Sequence, residues 1–140
     1  MITQLGRGAA HETGAPGPAD PPSVAVLGQR SRVAGLAQYL PHGWTLRLIA
    51  ELDEVRPGEL LVISGAGPYD VRLARRVLPP STRIVALIDD WAPAETVAGV
   101  LTEGAHVCVR GGHQGILAGH LVACRRRQLA ERWTDINLAS

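Results

Sequence analysis

The chain has 140 residues, of which 46% are hydrophobic, and its formal net charge at pH 7 is +1. This length suits one globular domain with a core of its own, and the small net charge argues against direct binding to nucleic acid. No segment approaches the roughly 20 apolar residues that span a bilayer, and residues 1–22 lack the apolar region of a signal peptide, so we expect a cytoplasmic location without membrane association.

The two ends of the chain differ from its middle. Residues 1–22 are rich in Gly, Pro and Ala and show no hydrophobic period, which predicts a disordered tail. The pattern predicts one domain over residues 23–133 and a short C-terminal tail over residues 134–140. Cys108 and Cys124 fall in apolar surroundings, which predicts two buried free thiols rather than a disulfide or a metal site.

Five short apolar segments predict β-strands. Leu60 to Ser64 is apolar almost throughout and stops at a Gly/Pro turn, as a strand buried on both faces does. Trp44 to Ala50 alternates apolar and polar residues, which is typical of a strand nearer the sheet edge. The other strands are predicted over residues 24–27, 83–88 and 106–109.

Segments with helical spacing of apolar residues follow the strands, and Gly or Pro marks their ends. Asp70 is predicted to cap the helix after the third strand, with Leu73, Val77 and Leu78 pointing inward. Gly104 is well placed as the C′ residue of the next helix. Helices are predicted over residues 30–40, 71–78, 93–101 and 114–132, and residues 51–55 allow at most a short helix.

Strands and helical segments thus alternate five times with short connections. Right-handed crossovers then require a parallel sheet with helices on both faces. For a chain of this size we predict an α/β fold, the flavodoxin-like (βα)5 three-layer sandwich with strand order 2-1-3-4-5. Such folds place their functional residues in the loops at the carboxyl ends of the strands.

Three short sequence motifs occur together with this order of elements: Arg56-Pro57 before the third strand, Arg83 to Leu87 in the fourth, and Gly104-Ala105 before the fifth. With them, residues 23–127 resemble the receiver domain of bacterial response regulators, the proteins of two-component signalling. The resemblance implies transfer of a phosphoryl group from a histidine kinase to an Asp that ends strand three. It further implies an acidic pair that holds Mg²⁺, a Thr or Ser that ends strand four and a Lys that ends strand five.

Every member of that constellation is replaced in this sequence. Without clustered carboxylates nothing would hold Mg²⁺, and a serine hydroxyl needs an adjacent base to act as a nucleophile. The resemblance therefore points to a degenerate receiver, a pseudo-receiver of the atypical actinobacterial type, with no enzymatic activity, metal or cofactor. Gly28 and Gln29 stand at the acidic pair, Ser64 at the phosphoacceptor, Ile88 at the hydroxyl position, and Arg110, or Gly111 with a one-residue gap, at the lysine.

Three aspartates form a candidate ligand pocket at the same edge. Asp89 and Asp90 follow the fourth strand, and Asp70 lies in the neighbouring loop. One interpretation is a relocated cation site. We favour the other, in which Asp70 caps a helix while Asp89 or Asp90 pairs with Arg110 or Arg30.

We expect a regulatory module that acts through protein–protein contacts, in transcriptional or developmental regulation. In receivers the fourth helix, fifth strand and fifth helix form the surface for a partner or a homodimer. By resemblance, this surface corresponds to the segment from Thr96 to Trp133. The candidate interface residues, if they are exposed together, are Ala98, Val100, Leu101, Leu117 and Trp133, with Trp91 as a further anchor.

Two alternative functions use the carboxyl edge of the sheet. The first is a sensor that binds a small molecule in the vacated phosphorylation pocket around Gly28, Ser64, Asp89 and Arg110. The second is a small flavodoxin-fold enzyme or nucleotide-binding protein, for which the segment after the first strand offers a poor phosphate loop. We favour the regulatory module over both.

Overall fold

A computed structural model describes residues 21–139, with side chains as far as residue 134. The N-terminal tail predicted over residues 1–22 therefore lies almost wholly outside the described residues. The strands are β1 (Ser23–Gly28), β2 (Thr45–Ile49), β3 (Leu60–Ser64), β4 (Ile84–Ile88) and β5 (Val107–Arg110), and the α-helices are α1 (Pro68–Val77), α2 (Ala94–Thr102) and α3 (Gln114–Ala139).

The five strands form one parallel sheet in the order β2-β1-β3-β4-β5, as the sequence predicted. β3 lies at the centre, and all five of its residues are buried. A continuous apolar run is the pattern of a strand covered on both faces, so this strand was identifiable from the sequence. β2 lies at one edge and exposes part of its surface, also as predicted.

Two layers cover the sheet. Alternate strand residues point to opposite faces, so neighbours such as Val62 and Ile63 enter different cores. One core lies between the sheet and α3, which contributes Leu117 and Leu121. The other lies beneath α1 and α2, with Val100 as its fully buried contribution from α2. The molecule is therefore the three-layer α/β sandwich that the element order predicts.

The connection after β1 is the main departure from the predicted elements. Residues 30–40 do not form an α-helix but two 3₁₀ turns, Arg30–Val33 and Leu36–Tyr39. Gly35 between them has φ of 82°, a left-handed conformation that ends a right-handed helix. The buried residues of this segment are Val33, Leu36 and Leu40, and this spacing fits two 3₁₀ turns as well as one helix.

The helix after β3 begins earlier than predicted. Pro68 occupies its first position, which Pro favours, and Gly67 precedes it. Asp70 is therefore not the cap residue but the third residue of the helix, and its Oδ2 accepts a hydrogen bond from the Gly67 N–H at 2.8 Å. The inward residues are Val71, Ala74 and Leu78. The predicted Leu78 is therefore buried, whereas the predicted Leu73 and Val77 are 40% and 51% exposed.

The remaining helical predictions agree with the structure except at the C-terminus. Residues 51–55 hold a single 3₁₀ turn, Leu52–Glu54, and Gly104 follows α2 with a positive φ of 123°. The last helix was predicted over residues 114–132, and α3 continues through Ala139. None of the helices within residues 21–139 has the length and apolar composition needed to cross a membrane.

Both thiols are free, as predicted. Cys124 is buried in the core beneath α3, whereas Cys108 is only partly buried and packs against the opposite core. The sheet therefore separates the two sulfur atoms. Burial raises the pKa of both thiols, so both remain protonated at neutral pH.

Candidate functional site

The carboxyl edge of the sheet brings together the residues that the sequence singled out. The strand register places Gly28 beside Ser64 and Ile88 beside Arg110. Gln29 follows directly from β1 and meets the end of β3 through its backbone. The positions predicted for a phosphorylation site therefore form one contiguous edge, although their side chains differ from those of a receiver.

The ends of β1 and β3 approach each other closely at Gly28. A Cβ atom at this position would lie 2.2 Å from the Ser64 carbonyl oxygen, and the φ of Gly28 is 106°. The Gln29 N–H donates to the same carbonyl at 3.2 Å, and the Ser64 hydroxyl donates to the Gln29 carbonyl at 2.7 Å. This paired contact requires a residue without a side chain at position 28.

Ser64 is poorly placed for nucleophilic chemistry. It is only 4% exposed, and its hydroxyl proton is directed to a backbone carbonyl. A carbonyl oxygen is too weak a base to remove that proton, whereas nucleophilic serines are paired with a general base. The hydroxyl therefore joins β3 to the loop after β1 and has a structural role.

Arg32 is the main residue of this edge that sequence analysis missed. Its Nε donates to Gln29 Oε1 and its Nη2 forms an ion pair with Asp89. Asp89 therefore pairs with Arg32 and not with the predicted Arg110 or Arg30. Asp89 lies 57 positions along the chain from Arg32, so nothing in the local spacing indicates the contact. The Arg32 carbonyl in turn accepts a hydrogen bond from Gln114 Nε2 at 2.7 Å, which connects this segment to the start of α3.

Arg110 fixes the loop between β4 and α2. Its Nη1 donates to the carbonyl oxygens of Ala92 at 2.8 Å and Asp90 at 3.0 Å. The guanidinium thus binds backbone rather than a carboxylate, which differs from the predicted ion pair. The loop directs Trp91 into solvent, where 93% of this residue is exposed.

The three aspartates of the candidate ligand pocket do not converge on one point. Asp70 accepts from the start of α1, and Asp89 pairs with Arg32. Across residues 21–134, no three His, Cys, Asp or Glu side chains are grouped so that they could hold a metal ion. The Gln29 amide and the Arg32 guanidinium lie beside Asp89 at this edge, whereas Mg²⁺ is usually held by one or two carboxylates.

A cleft of about 480 Å³ opens between the loops that follow β3 and β4. The sequence had indicated only some of the residues that line this cleft, because the loop residues on its other sides belong to no recognisable catalytic motif. Trp91 lies on its rim, and the Asp89 carboxylate is 65% exposed there. The lining residues are Gln29, Gly65, Ala66, Ile88, Asp89, Trp91, Ala92, Pro93 and Thr96.

The candidate interface residues divide into exposed and buried sets. Ala98, Leu101 and Trp133 are exposed, the last two by 42% and 65%. Val100 and Leu117 lie on the inward faces of their helices, where each is at most 2% exposed and belongs to one of the two cores. These two residues are therefore not available to a partner on the surface. Sequence analysis missed Ile116, which is 59% exposed on α3.

The sequence matches no protein-family model, and no curated protein is significantly similar to it. Similar solved structures are the signal receiver domain of an HD domain-containing protein from Pseudomonas fluorescens Pf-5 and a CheY-like response regulator receiver domain from Methanospirillum hungatei JF-1. The first has a TM-score of 0.65 at 19% identity over 81% of this chain and 93% of its own. The second has a TM-score of 0.65 at 14% identity over 79% and 98%.

The response regulator LqsR of Legionella pneumophila is also similar, with a TM-score of 0.63 at 11% identity, over 83% of this chain and 47% of LqsR. At such identities the similarity concerns the fold alone. The strand order and the arrangement of layers agree with it. The chain therefore has the flavodoxin-like fold of response regulator receiver domains.

Proposed function

We propose that this chain is a receiver-like regulatory module that acts through protein contacts and takes up no phosphoryl group at its carboxyl edge. The observation that carries the proposal is Ser64 at the position where the resemblance places the phosphoacceptor. Its buried hydroxyl donates to the Gln29 carbonyl, which is too weak a base to take its proton. The fold supports a signalling role, and this local chemistry argues against phosphorylation.

The charge beside Ser64 supports the same proposal. The Arg32 guanidinium bridges Gln29 and Asp89, so a positive group already pairs with the carboxylate that a metal ion would need. Two unit charges 4 Å apart interact by about 4 kcal/mol near a protein surface, and a divalent ion doubles that repulsion. Mg²⁺ would have to displace Arg32 before it could bind Asp89.

A magnesium titration tests this part of the proposal without any substitution. We expect the melting temperature to change no more with MgCl₂ than with NaCl at matched ionic strength, because the edge offers no set of carboxylates. Arg32→Ala provides a comparison in which Asp89 is released. Saturable stabilisation of the unmodified protein by Mg²⁺ alone would contradict the proposal.

The surface proposed for the partner lies along α2, β5 and α3. β5 is an edge strand of the sheet, and the helices on its two sides carry exposed apolar residues. Leu101 is 42% exposed on α2 and Ile116 is 59% exposed on α3, while Ala98 adds a small exposed side chain. Apolar groups at an open sheet edge support association with a second copy or another protein.

Light scattering at increasing protein concentration tests this surface. We expect the unmodified chain to show a larger mass than Leu101→Arg or Ile116→Arg, because a charge placed in an apolar contact must be desolvated. Val77→Arg is the matched control, since Val77 is 51% exposed on α1, away from β5. An unmodified chain that stays monomeric, or a loss of mass in Val77→Arg alone, would contradict a homodimer at this surface.

The cleft favours a small-molecule sensor as a second candidate function. Its volume of about 480 Å³ falls within the roughly 300–1,000 Å³ of typical ligand sites, and the exposed indole of Trp91 could stack on a planar compound. A ligand at about 100 times its Kd should add roughly 2.7 kcal/mol to the stability. In a thermal-shift screen we expect any hit to lose its effect in Trp91→Ala and retain it in Trp133→Ala, whereas no stabilising compound would count against the sensor.

A further inference from the structure

Basic side chains lie together at the amino ends of β4 and β5, on the edge of the sheet opposite to the candidate functional site. Arg83 comes directly before β4, and His106 comes directly before β5. The two strand starts are joined through His106, whose N–H donates to the Ile84 carbonyl at 2.8 Å and whose Nδ1 accepts from the Ile84 N–H at 3.1 Å. The imidazole is therefore held in place beside Arg83.

Arg75 reaches the same edge from the last turn of α1. Its guanidinium donates to the Pro80 carbonyl at 3.2 Å and to the Thr82 carbonyl. Its side chain lies against Gly104, where a Cβ atom would come within 2.6 Å of Arg75 Cγ. The buried Nε of Arg75 has no acceptor among the residues that the structure describes. Arg75 is thus held near Arg83 with one donor unused.

α3 contributes one further arginine and one carboxylate. Arg127 lies one helical turn before Glu131 on α3 and acts on His106 electrostatically. Glu131 forms an ion pair with Arg83, although within the described part of the chain Arg83 Nη2 finds no acceptor with hydrogen-bond geometry. The Arg83 side chain is only 10% exposed, whereas that of Glu131 is 65% exposed, so water screens the carboxylate more than the guanidinium.

These groups leave an excess of positive charge at a partly dehydrated edge. Among the side chains that the structure describes, the charged groups that act on His106 are the guanidinium groups of Arg75, Arg83 and Arg127 and the carboxylate of Glu131. Burial lowers the pKa of His106, and the three arginines lower it further. Burial and Arg83 likewise lower the pKa of Arg75. An anion bound here would relieve this repulsion.

We propose that Arg83, Arg127 and His106 form an anion-binding site at the amino edge of β4 and β5, and that its ligand carries a phosphate group. A planar guanidinium offers paired donors that match two oxygens of one phosphate. The guanidinium groups of Arg75, Arg83 and Arg127 outnumber the Glu131 carboxylate beside them, which points to a ligand that supplies acceptor oxygens. The site lies at the end of the sheet opposite to the candidate functional site and is independent of the proposed function.

Inorganic pyrophosphate and a phosphoserine peptide serve as probes in an NMR titration of the His106 ring. We expect a saturable response to at least one of them, with the pKa of His106 rising as the anion binds. A response to pyrophosphate alone assigns a free oligophosphate, and a response to the peptide assigns a phosphorylated protein. If neither probe shifts the ring beyond NaCl at matched ionic strength, the proposal is wrong.

Substitutions at two neighbouring arginines distinguish a specific anion-binding site from a general effect of positive charge. Arg127→Gln should weaken binding of the responding probe roughly tenfold, as expected for one charge-assisted hydrogen bond. Arg126→Gln removes the same charge at an exposed neighbouring position that is not among the groups acting on His106, and it should leave the affinity within about twofold. Equal losses in the two variants would overturn the site. Both positions are exposed, so neither substitution disturbs the core.

Discussion

Gly28 illustrates, at the scale of single residues, how the carboxyl edge depends on the absence of a side chain. Its φ of 106° and the 2.2 Å that would separate an added Cβ atom from the Ser64 carbonyl oxygen both exclude larger residues. We predict that Gly28→Ala destabilises the protein by more than about 1 kcal/mol, since the backbone conformation is incompatible with a Cβ atom. Urea unfolding measures the change.

Gly119 provides the matched control for that substitution. It lies within α3, has no atom within 4 Å of a Cβ position and has no positive φ. Gly119→Ala should therefore stabilise the protein by about 0.5–1 kcal/mol through helix propensity. Opposite signs for the two substitutions support the account, whereas a neutral Gly28→Ala would show that β1 and β3 do not approach as described.

Glu59 carries a buried charge at the amino edge that the sequence did not reveal. It is 2% exposed, and its carboxylate accepts from Arg47 Nη1 at 2.6 and 2.8 Å, from the Arg56 N–H at 2.9 Å and from Ser23 Oγ. We predict that Glu59→Ala costs about 3–5 kcal/mol, because Arg47 would lose the partner of a desolvated ion pair. Denaturant unfolding tests this value.

A surface carboxylate serves for comparison with Glu59. Glu103 pairs with Arg72 at 2.9 Å, but both side chains are in contact with water. Such pairs contribute little, so Glu103→Ala should change the midpoint of unfolding only slightly. If the two alanine variants are equally stable, burial does not distinguish the pairs as we describe.

His106 makes the stability of the fold depend on pH. Burial and neighbouring arginines lower its pKa in the folded state below the ordinary value of 6.5, so the unfolded chain takes up the proton first as the pH falls. The free energy of unfolding should therefore decrease as the pH falls below about 6.5, with no contribution from His106 above it. Urea unfolding at pH 7 and pH 5 measures the slope.

The variant His106→Asn isolates the contribution of His106 to the pH dependence of stability. The Asn Oδ1 can accept a hydrogen bond from the Ile84 N–H in place of the His106 Nδ1, and it does not titrate. We expect the stability of the variant to fall less steeply between the two pH values. Parallel pH curves for the two proteins would contradict a lowered pKa at His106.

At the scale of elements, Arg110 determines the conformation of the loop between β4 and α2. Its hydrogen bonds to the carbonyl oxygens of Asp90 and Ala92 hold a segment that has no secondary structure of its own. We predict that Arg110→Gln lowers hydrogen-exchange protection in residues 89–93 by roughly tenfold, the equivalent of one such bond. Arg76→Gln on α1 is the control, and a uniform loss of protection across the sheet would count against a local role.

Elements were predicted well where one pattern had one structural meaning. The apolar run at Leu60 to Ser64 is short and is closed by a Gly/Pro turn, which favours a buried strand over a helix, and its predicted bounds were correct. The spacing of Val33, Leu36 and Leu40 fits both an α-helix and two 3₁₀ turns, and the left-handed Gly35 decides between them. In α1, helical spacing allows Val71 and Ala74 or Leu73 and Val77 as the inward face, and packing against the sheet buries the first pair.

At the scale of the whole molecule, the sheet order was predictable and the site only in part. Short crossovers between buried strands leave few arrangements, which is why the order β2-β1-β3-β4-β5 was correct. The backbone positions at the carboxyl edge followed from that order. The contacts between Arg32 and Asp89 were not predictable, since long flexible side chains select partners through the tertiary structure, which no local pattern encodes.

The central claim, that the carboxyl edge takes up no phosphoryl group, has a direct test. The purified chain is incubated with acetyl phosphate and Mg²⁺ and examined by intact mass spectrometry, beside a receiver domain that carries the phosphoacceptor Asp as a positive control. Our account predicts an unchanged mass for this chain while the control becomes labelled, because the Ser64 hydroxyl has no base and the edge offers no cluster of carboxylates for the metal. A stable phosphoryl adduct on this chain under the same conditions would contradict it.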